Sequence, residues 1–78
     1  MLTFHSFVPD KSIDILQCWV DELNATVVVS TPRKTKLGDF KVRGNKLIVS
    51  VNNNLNKYAF LITFTHELAH AFVFKKHT

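Results

Sequence analysis

Residues 46–76 read KLIVSVNNNLNKYAFLITFTHELAHAFVFKK and carry two different hydrophobic patterns, separated by a group of asparagines. The first pattern, residues 46–51, is short and β-branched with apolar side chains on both faces, which predicts the central and most buried strand of a sheet. The second predicts a helix over residues 57–76, capped by Asn56 or, alternatively, by Asn54. Because this helix is apolar nearly all round, we expect it to be buried.

One further helix and one further strand are predicted near the N-terminus. Apolar residues spaced three and four apart indicate a helix over residues 9–24. Pro9 suits its first turn, and Asn24 is a plausible stop at its end. The β-branched run at residues 26–30 then indicates a strand. A helix followed closely by a strand favours a layered arrangement in which the two pack together.

A β-hairpin is predicted in the middle of the chain. A strand over residues 35–42 is followed by Gly44 and Asn45, which can form a two-residue turn with glycine first. Gly38, inside that strand, marks a bulge or a close backbone approach. The element order is therefore helix, strand, hairpin and helix. It predicts an α+β fold with one three-stranded sheet, formed by residues 1–78 as a single domain.

The length and composition restrict how such a domain is stabilised and where it works. A chain of 78 residues builds a thin core, and domains of this size often depend on a metal, a disulfide or a partner. Cys18 is the single cysteine, so an internal disulfide is excluded, and we expect it to be a small buried hydrophobe. The N-terminus does not resemble a signal peptide, and the apolar stretch 58–74 is too short and polar to span a bilayer. We expect a cytoplasmic protein without a membrane partner.

Three polar residues, His66, Glu67 and His70, interrupt the most apolar part of the chain. Histidines four apart lie on one helix face, roughly 6 Å apart along the axis, and can bind one Zn²⁺ ion at about 2.0–2.1 Å each. Glu67 faces beside them and can act as general base toward a water on the metal, whose pKa the zinc lowers. The alternative is that the three are ordinary core residues. Burying them without partners would cost several kcal/mol, which favours the metal.

Further motifs accompany HELAH in the same order: TPRKTKLG at residues 31–38 and L-N-x-Y-x-F-L-x-T at residues 55–63. With them, the chain over about residues 10–75 resembles the SprT-like zinc metalloprotease family, which includes SprT and Spartan. The resemblance implies a zincin-like core and hydrolysis of protein or peptide substrates. It implies His66 and His70 as zinc ligands and Glu67 as catalytic base. Spartan-type members act on proteins crosslinked to DNA, so DNA is a second candidate partner.

The third zinc ligand is where the resemblance is incomplete. A catalytic zinc takes three protein ligands and a water, and the family's third ligand is a histidine well downstream of the motif helix. The chain ends at Thr78, so we expect a truncated domain that is inactive unless a third ligand is supplied. In a continuing helix, His77 lies roughly 10 Å beyond His70 along the axis. His5 is expected in an exposed tail, and neither histidine is expected to bind the metal.

A second feature is the basic segment between residues 33 and 46, which contains a single acid, Asp39. It can be a solvated hairpin whose lysines protect an exposed strand edge. It can also be a surface that binds nucleic-acid phosphates. The candidate contact residues are Arg33, Lys34, Lys36, Lys41 and Arg43. Two alternatives to a peptidase therefore stay open: a nucleic-acid-binding module with a vestigial HExxH site, and a domain in which zinc is structural.

Overall fold

The fold is a mixed α+β layer in which the helices pack on one face of a three-stranded sheet. A computed structural model of the protein describes residues 4–32 and 34–77. Within these residues the chain forms short 3-10 helices at Phe4–Phe7 and Asp10–Ser12, helix α1 (Ile13–Leu23), strand β1 (Ala25–Ser30), strand β2 (Gly38–Arg43), strand β3 (Lys46–Asn52) and helix α2 (Lys57–Lys76). The α+β prediction is confirmed at this level.

The sheet has the order β1-β3-β2, with β3 in the centre as predicted. Strand β1 pairs with β3 in parallel, and β2 pairs with it antiparallel through the hairpin. The turn has Gly44 at a φ of 59°, a left-handed conformation that favours glycine, so the predicted hairpin turn is confirmed. Along β3, Leu47, Val49 and Val51 face the helices and are buried. The sheet is therefore covered on this face.

The predicted helix ends are set by local capping. Asn24 adopts the left-handed conformation and its N–H donates to the Asp21 carbonyl at 3.1 Å, which ends α1 as predicted. Asn56, not Asn54, caps α2: its Oδ1 accepts from the Ala59 N–H at 2.8 Å. The predicted start of the first helix at residue 9 is wrong, because the chain first forms a 3-10 turn closed by Ser12.

The core is aromatic and reaches into the N-terminal segment. Phe64 packs edge-on against Phe4 with ring centroids 4.7 Å apart, and Phe60 stacks on Phe7 at 5.3 Å. The 3-10 helix at Phe4–Phe7 therefore covers the first half of α2. The buried hydrophobic residues are Phe4, Val8, Leu16, Val20, Leu23, Leu47, Val49, Val51, Phe60, Phe64, Leu68 and Ala71.

Two burial predictions are wrong. Cys18 is exposed, because α1 buries Leu16 and Val20, and a residue two positions from each lies about 200° around the helix. Helix α2 is not buried all round: Tyr58 is 72% exposed and Ile62 70% exposed. The sheet and α1 contact α2 from one side only, so its other side meets solvent. Within the part of the chain that the structure describes, no helix has the length and apolarity to cross a membrane.

Candidate metal centre

The two histidines of the HELAH motif converge on the exposed side of α2. The Nε2 atoms of His66 and His70 are 3.0 Å apart, and the rings meet edge to face with centroids 4.6 Å apart. One Nε2–H donates to the other Nε2, which is the arrangement a neutral pair can adopt. Helical spacing alone brings the rings to one face, and their side-chain rotations then aim both Nε2 atoms at one point.

This geometry fits a zinc ion. Two nitrogens bound to tetrahedral zinc at about 2.0–2.1 Å are about 3.3–3.4 Å apart. The observed separation of 3.0 Å between the Nε2 atoms is only a few tenths of an ångström shorter. A small outward rotation of either ring would place the metal between them. Both side chains are exposed, so the expected burial cost, which favoured a metal in the sequence, is wrong for the two histidines. Their exposure leaves both nitrogens open to an incoming ion.

The remaining histidines lie elsewhere. His77 ends α2, where its N–H donates to the Phe74 carbonyl at 3.2 Å. His5 is half-buried, with its Nε2 2.7 Å from the Gln17 Oε1, so its expected exposure in a tail is wrong. The cause is the 3-10 helix that holds residues 4–7 against the core. Among residues 4–32 and 34–77, no group of three or more His, Cys, Asp or Glu side chains is arranged to hold a metal.

Glu67 lies in α2, where its side chain is half-buried beside Gly38 at the start of β2. A Cβ added to Gly38 would lie 2.7 Å from Thr63 Cγ2, 3.0 Å from the Ser50 carbonyl oxygen and 3.3 Å from Glu67 Cγ. The prediction of a close backbone approach at Gly38 is therefore confirmed. Glycine at this position lets β2 lie directly against the helix turn that carries the candidate base.

An open cleft of about 540 Å³ lies in front of these residues. Its walls are the 35–39 segment on one side and the α2 residues Ile62, Thr63, His66 and Glu67 on the other. The cleft thus gives access to Glu67 and His66 together. The sequence predicted the close backbone approach at Gly38 but not the role of Thr63 in the cleft wall. Thr63 lies one helical turn before Glu67 and therefore on the same helix face, which the spacing could have indicated.

The candidate phosphate-binding residues are distributed over a loop and a strand. Lys34 and Lys36 lie in the loop before β2, whereas Lys41 and Arg43 lie in β2, and all four are exposed. Lys36 Nζ is 3.5 Å from an Asp39 carboxylate oxygen. Arg33 is outside the described residues. Two of the candidates, Lys41 and Arg43, thus lie on one strand. Because β2 is an edge strand, their placement agrees with the alternative in which basic side chains protect an exposed strand edge.

No model of a protein family matches this chain, and neither curated protein sequences nor solved structures give a match.

Proposed function

We propose that this chain is a zinc-dependent metallopeptidase domain of SprT-like type with a zincin-like core, which hydrolyses peptide bonds in protein substrates. The observation that carries the proposal is the convergence of the His66 and His70 Nε2 atoms, 3.0 Å apart, beside a cleft that also contains Glu67. A structural histidine pair needs neither an adjacent carboxylate nor an open approach. The single cysteine also suits the reducing cytoplasm, where we place the protein.

Each residue of the motif has a distinct task in this proposal. His66 and His70 would hold the metal through their imidazole rings. Zinc, when bound, polarises the substrate carbonyl and activates a water. Glu67 accepts the proton of the attacking water through its carboxylate and delivers it to the leaving amine. The cleft between the 35–39 segment and α2 admits a peptide backbone to the same place.

Zinc binding is the direct test of the ligand pair. We expect about one Zn²⁺ per chain, held weakly and removed by dialysis against a mild chelator, because two imidazoles fill only half of a tetrahedral shell. His70→Ala should abolish this binding in a competition titration with a chromophoric chelator. His77→Ala is the matched control and should bind zinc like the parent. Zinc that survives the chelator, or weaker binding in the His77→Ala protein, would show that other donors complete the site.

A second candidate function is binding of nucleic acid by the outer face of the sheet. Lys41 and Arg43 alternate with Phe40 and Val42 along β2, so they point away from the helices. Arg43 is paired in register with Lys46, which is also exposed. Three cations therefore lie on the sheet face that no helix covers. Lys36, by contrast, lies in the 35–39 segment that lines the cleft, so the candidate residues are not all on this face.

Salt dependence tests this face together with the two lysines of the loop before β2. If Lys34, Lys36, Lys41 and Arg43 contact phosphates, log affinity should fall against log salt with a slope of about −0.9 per contact on duplex DNA or −0.7 on single strands. Replacing all four by glutamine should remove most of the binding. The control replaces Lys11, Lys75 and Lys76, which are outside the segment, and should keep it. An affinity that the fourfold replacement leaves unchanged would contradict a role for this surface.

A further inference from the structure

Asn52, the last residue of β3, is the most deeply buried polar side chain near the cleft, with 1% of its surface exposed. Its Nδ2 donates to the Lys36 carbonyl at 2.7 Å, and its backbone N–H donates to the Leu37 carbonyl at 2.9 Å. The Ser30 hydroxyl donates to its Oδ1 at 3.4 Å. Asn52 thus ties the ends of β1 and β3 to the segment that forms one wall of the cleft.

The tethered segment leads directly to Gly38, the residue that touches Glu67. The Leu37 carbonyl held by Asn52 belongs to the peptide bond that joins Leu37 to Gly38. Gly38 packs so closely that a Cβ there would meet Thr63 Cγ2 and Glu67 Cγ. Losing the Asn52 side chain would leave the part-buried Lys36 carbonyl without its donor, so the hydrogen bond favours the observed position of the wall.

We infer that Asn52 is a positioning residue: its side chain holds the Lys36 carbonyl, which keeps Gly38 against Glu67 and so orients the Glu67 carboxylate in the cleft. The Glu67 methylene groups rest against a backbone with no side chain, and this contact restricts their rotation. The inference rests on the proposed function only in taking Glu67 as the general base. The position of Gly38 relative to Glu67 is a separate, measurable property.

The test replaces Asn52 by leucine, which keeps the approximate volume and removes the side-chain hydrogen bonds to Lys36 and Ser30, whereas the backbone bond to the Leu37 carbonyl remains. Asn54→Leu, the same change at an exposed turn position, is the matched control. The primary readout is the nuclear Overhauser effect between the Gly38 α-protons and the Glu67 γ-protons in labelled protein. We expect it in the parent and in Asn54→Leu, and expect its loss in Asn52→Leu with zinc affinity unchanged. Retention of the effect in Asn52→Leu would overturn the inference.

The rate of peptide hydrolysis is the second readout. With Glu67 misplaced by about 1 Å, kcat should fall roughly 10- to 100-fold. If the zinc-loaded parent shows no hydrolysis that depends on Glu67, the proposed function fails, and the Overhauser comparison still decides the positioning role. A parental kcat in Asn52→Leu, where the parent is active, would overturn the inference.

A second pair of variants covers the case in which Asn52→Leu does not fold. Gly38→Ala should push the cleft wall away from α2, because the added methyl group would lie 2.7 Å from Thr63 Cγ2. Thr63→Ser removes that methyl group and makes room. We expect Gly38→Ala to change the Glu67 γ-carbon chemical shift and the double variant to restore part of it, because the Ser50 carbonyl oxygen would still lie 3.0 Å from the added methyl group. Parental Glu67 shifts in Gly38→Ala would contradict the contact on which the inference depends.

Discussion

Glu67→Gln should leave zinc bound and lower peptide hydrolysis by about 10²- to 10⁴-fold, the contribution of general acid–base catalysis. Glutamine keeps the size of the side chain and a hydrogen-bonding group, so it should still rest against Gly38, but it cannot accept the proton. His66 and His70 are untouched, which is why zinc should remain. The measurement is the hydrolysis rate of a peptide substrate at saturating zinc, together with the zinc content, in a form of the protein extended beyond Thr78 to supply a third zinc ligand.

The controls separate a catalytic zinc from a structural one. His66→Ala and His70→Ala should lose zinc and activity together. Glu22→Gln, an exposed position on α1, should behave like the parent. A structural zinc would give Glu67 no special role. If Glu67→Gln cleaves substrate as fast as its parent, the HExxH peptidase proposal is wrong, and a domain stabilised by zinc becomes the better explanation.

Phe64→Ala should lower the free energy of unfolding by about 3–5 kcal/mol. Phe64 has no exposed surface, and its ring meets Phe4 at 4.7 Å and Phe60 at 6.0 Å. Alanine would leave a cavity where α2, the sheet and the N-terminal segment meet. Natural domains are stable by only about 0.05–0.15 kcal/mol per residue, so a chain of 78 residues would lose a large part of its stability.

Urea unfolding at constant m-value measures this loss. Phe74→Ala on the same helix is the control, because Phe74 is 38% exposed and meets one ring, Phe40, at 5.9 Å. Its smaller buried area should give a clearly smaller change. A Phe64→Ala protein within about 1 kcal/mol of its parent would mean that the N-terminal segment does not pack on α2 as described.

Local chemistry explains why much of the fold was predictable. Asn24 and Asn56 set helix ends through their own hydrogen bonds, and Gly44 permits the hairpin turn. The β-branched composition of residues 46–51 identified the central strand. These signals act within a few residues and do not depend on what packs where. The spacing of His66 and His70 belongs to the same class, because helix geometry alone places them on one face.

Burial was less predictable, because it depends on which surfaces come together. The apolar sequence of α2 contains no marker for the side that the sheet and α1 leave open, so Ile62 and Tyr58 were expected to be buried. Cys18 was misplaced for a related reason: its neighbours in sequence are core residues, but its direction from α1 is opposite to theirs. The N-terminal residues Phe4 and Val8 carried no periodic signal, yet they close the core.

The element order, the capping residues and the two histidines and one glutamate on a single helix follow from the sequence, since each depends on nearby residues. The surroundings of that motif follow from packing between distant segments. This packing placed the Gly38 backbone against Glu67, and it placed Asn52 where it holds the cleft wall. These residues are 15 to 29 positions from Glu67 in the chain. Such contacts arise from parallel pairing of β1 with β3 and from the packing of α2 on the sheet, which no local pattern encodes.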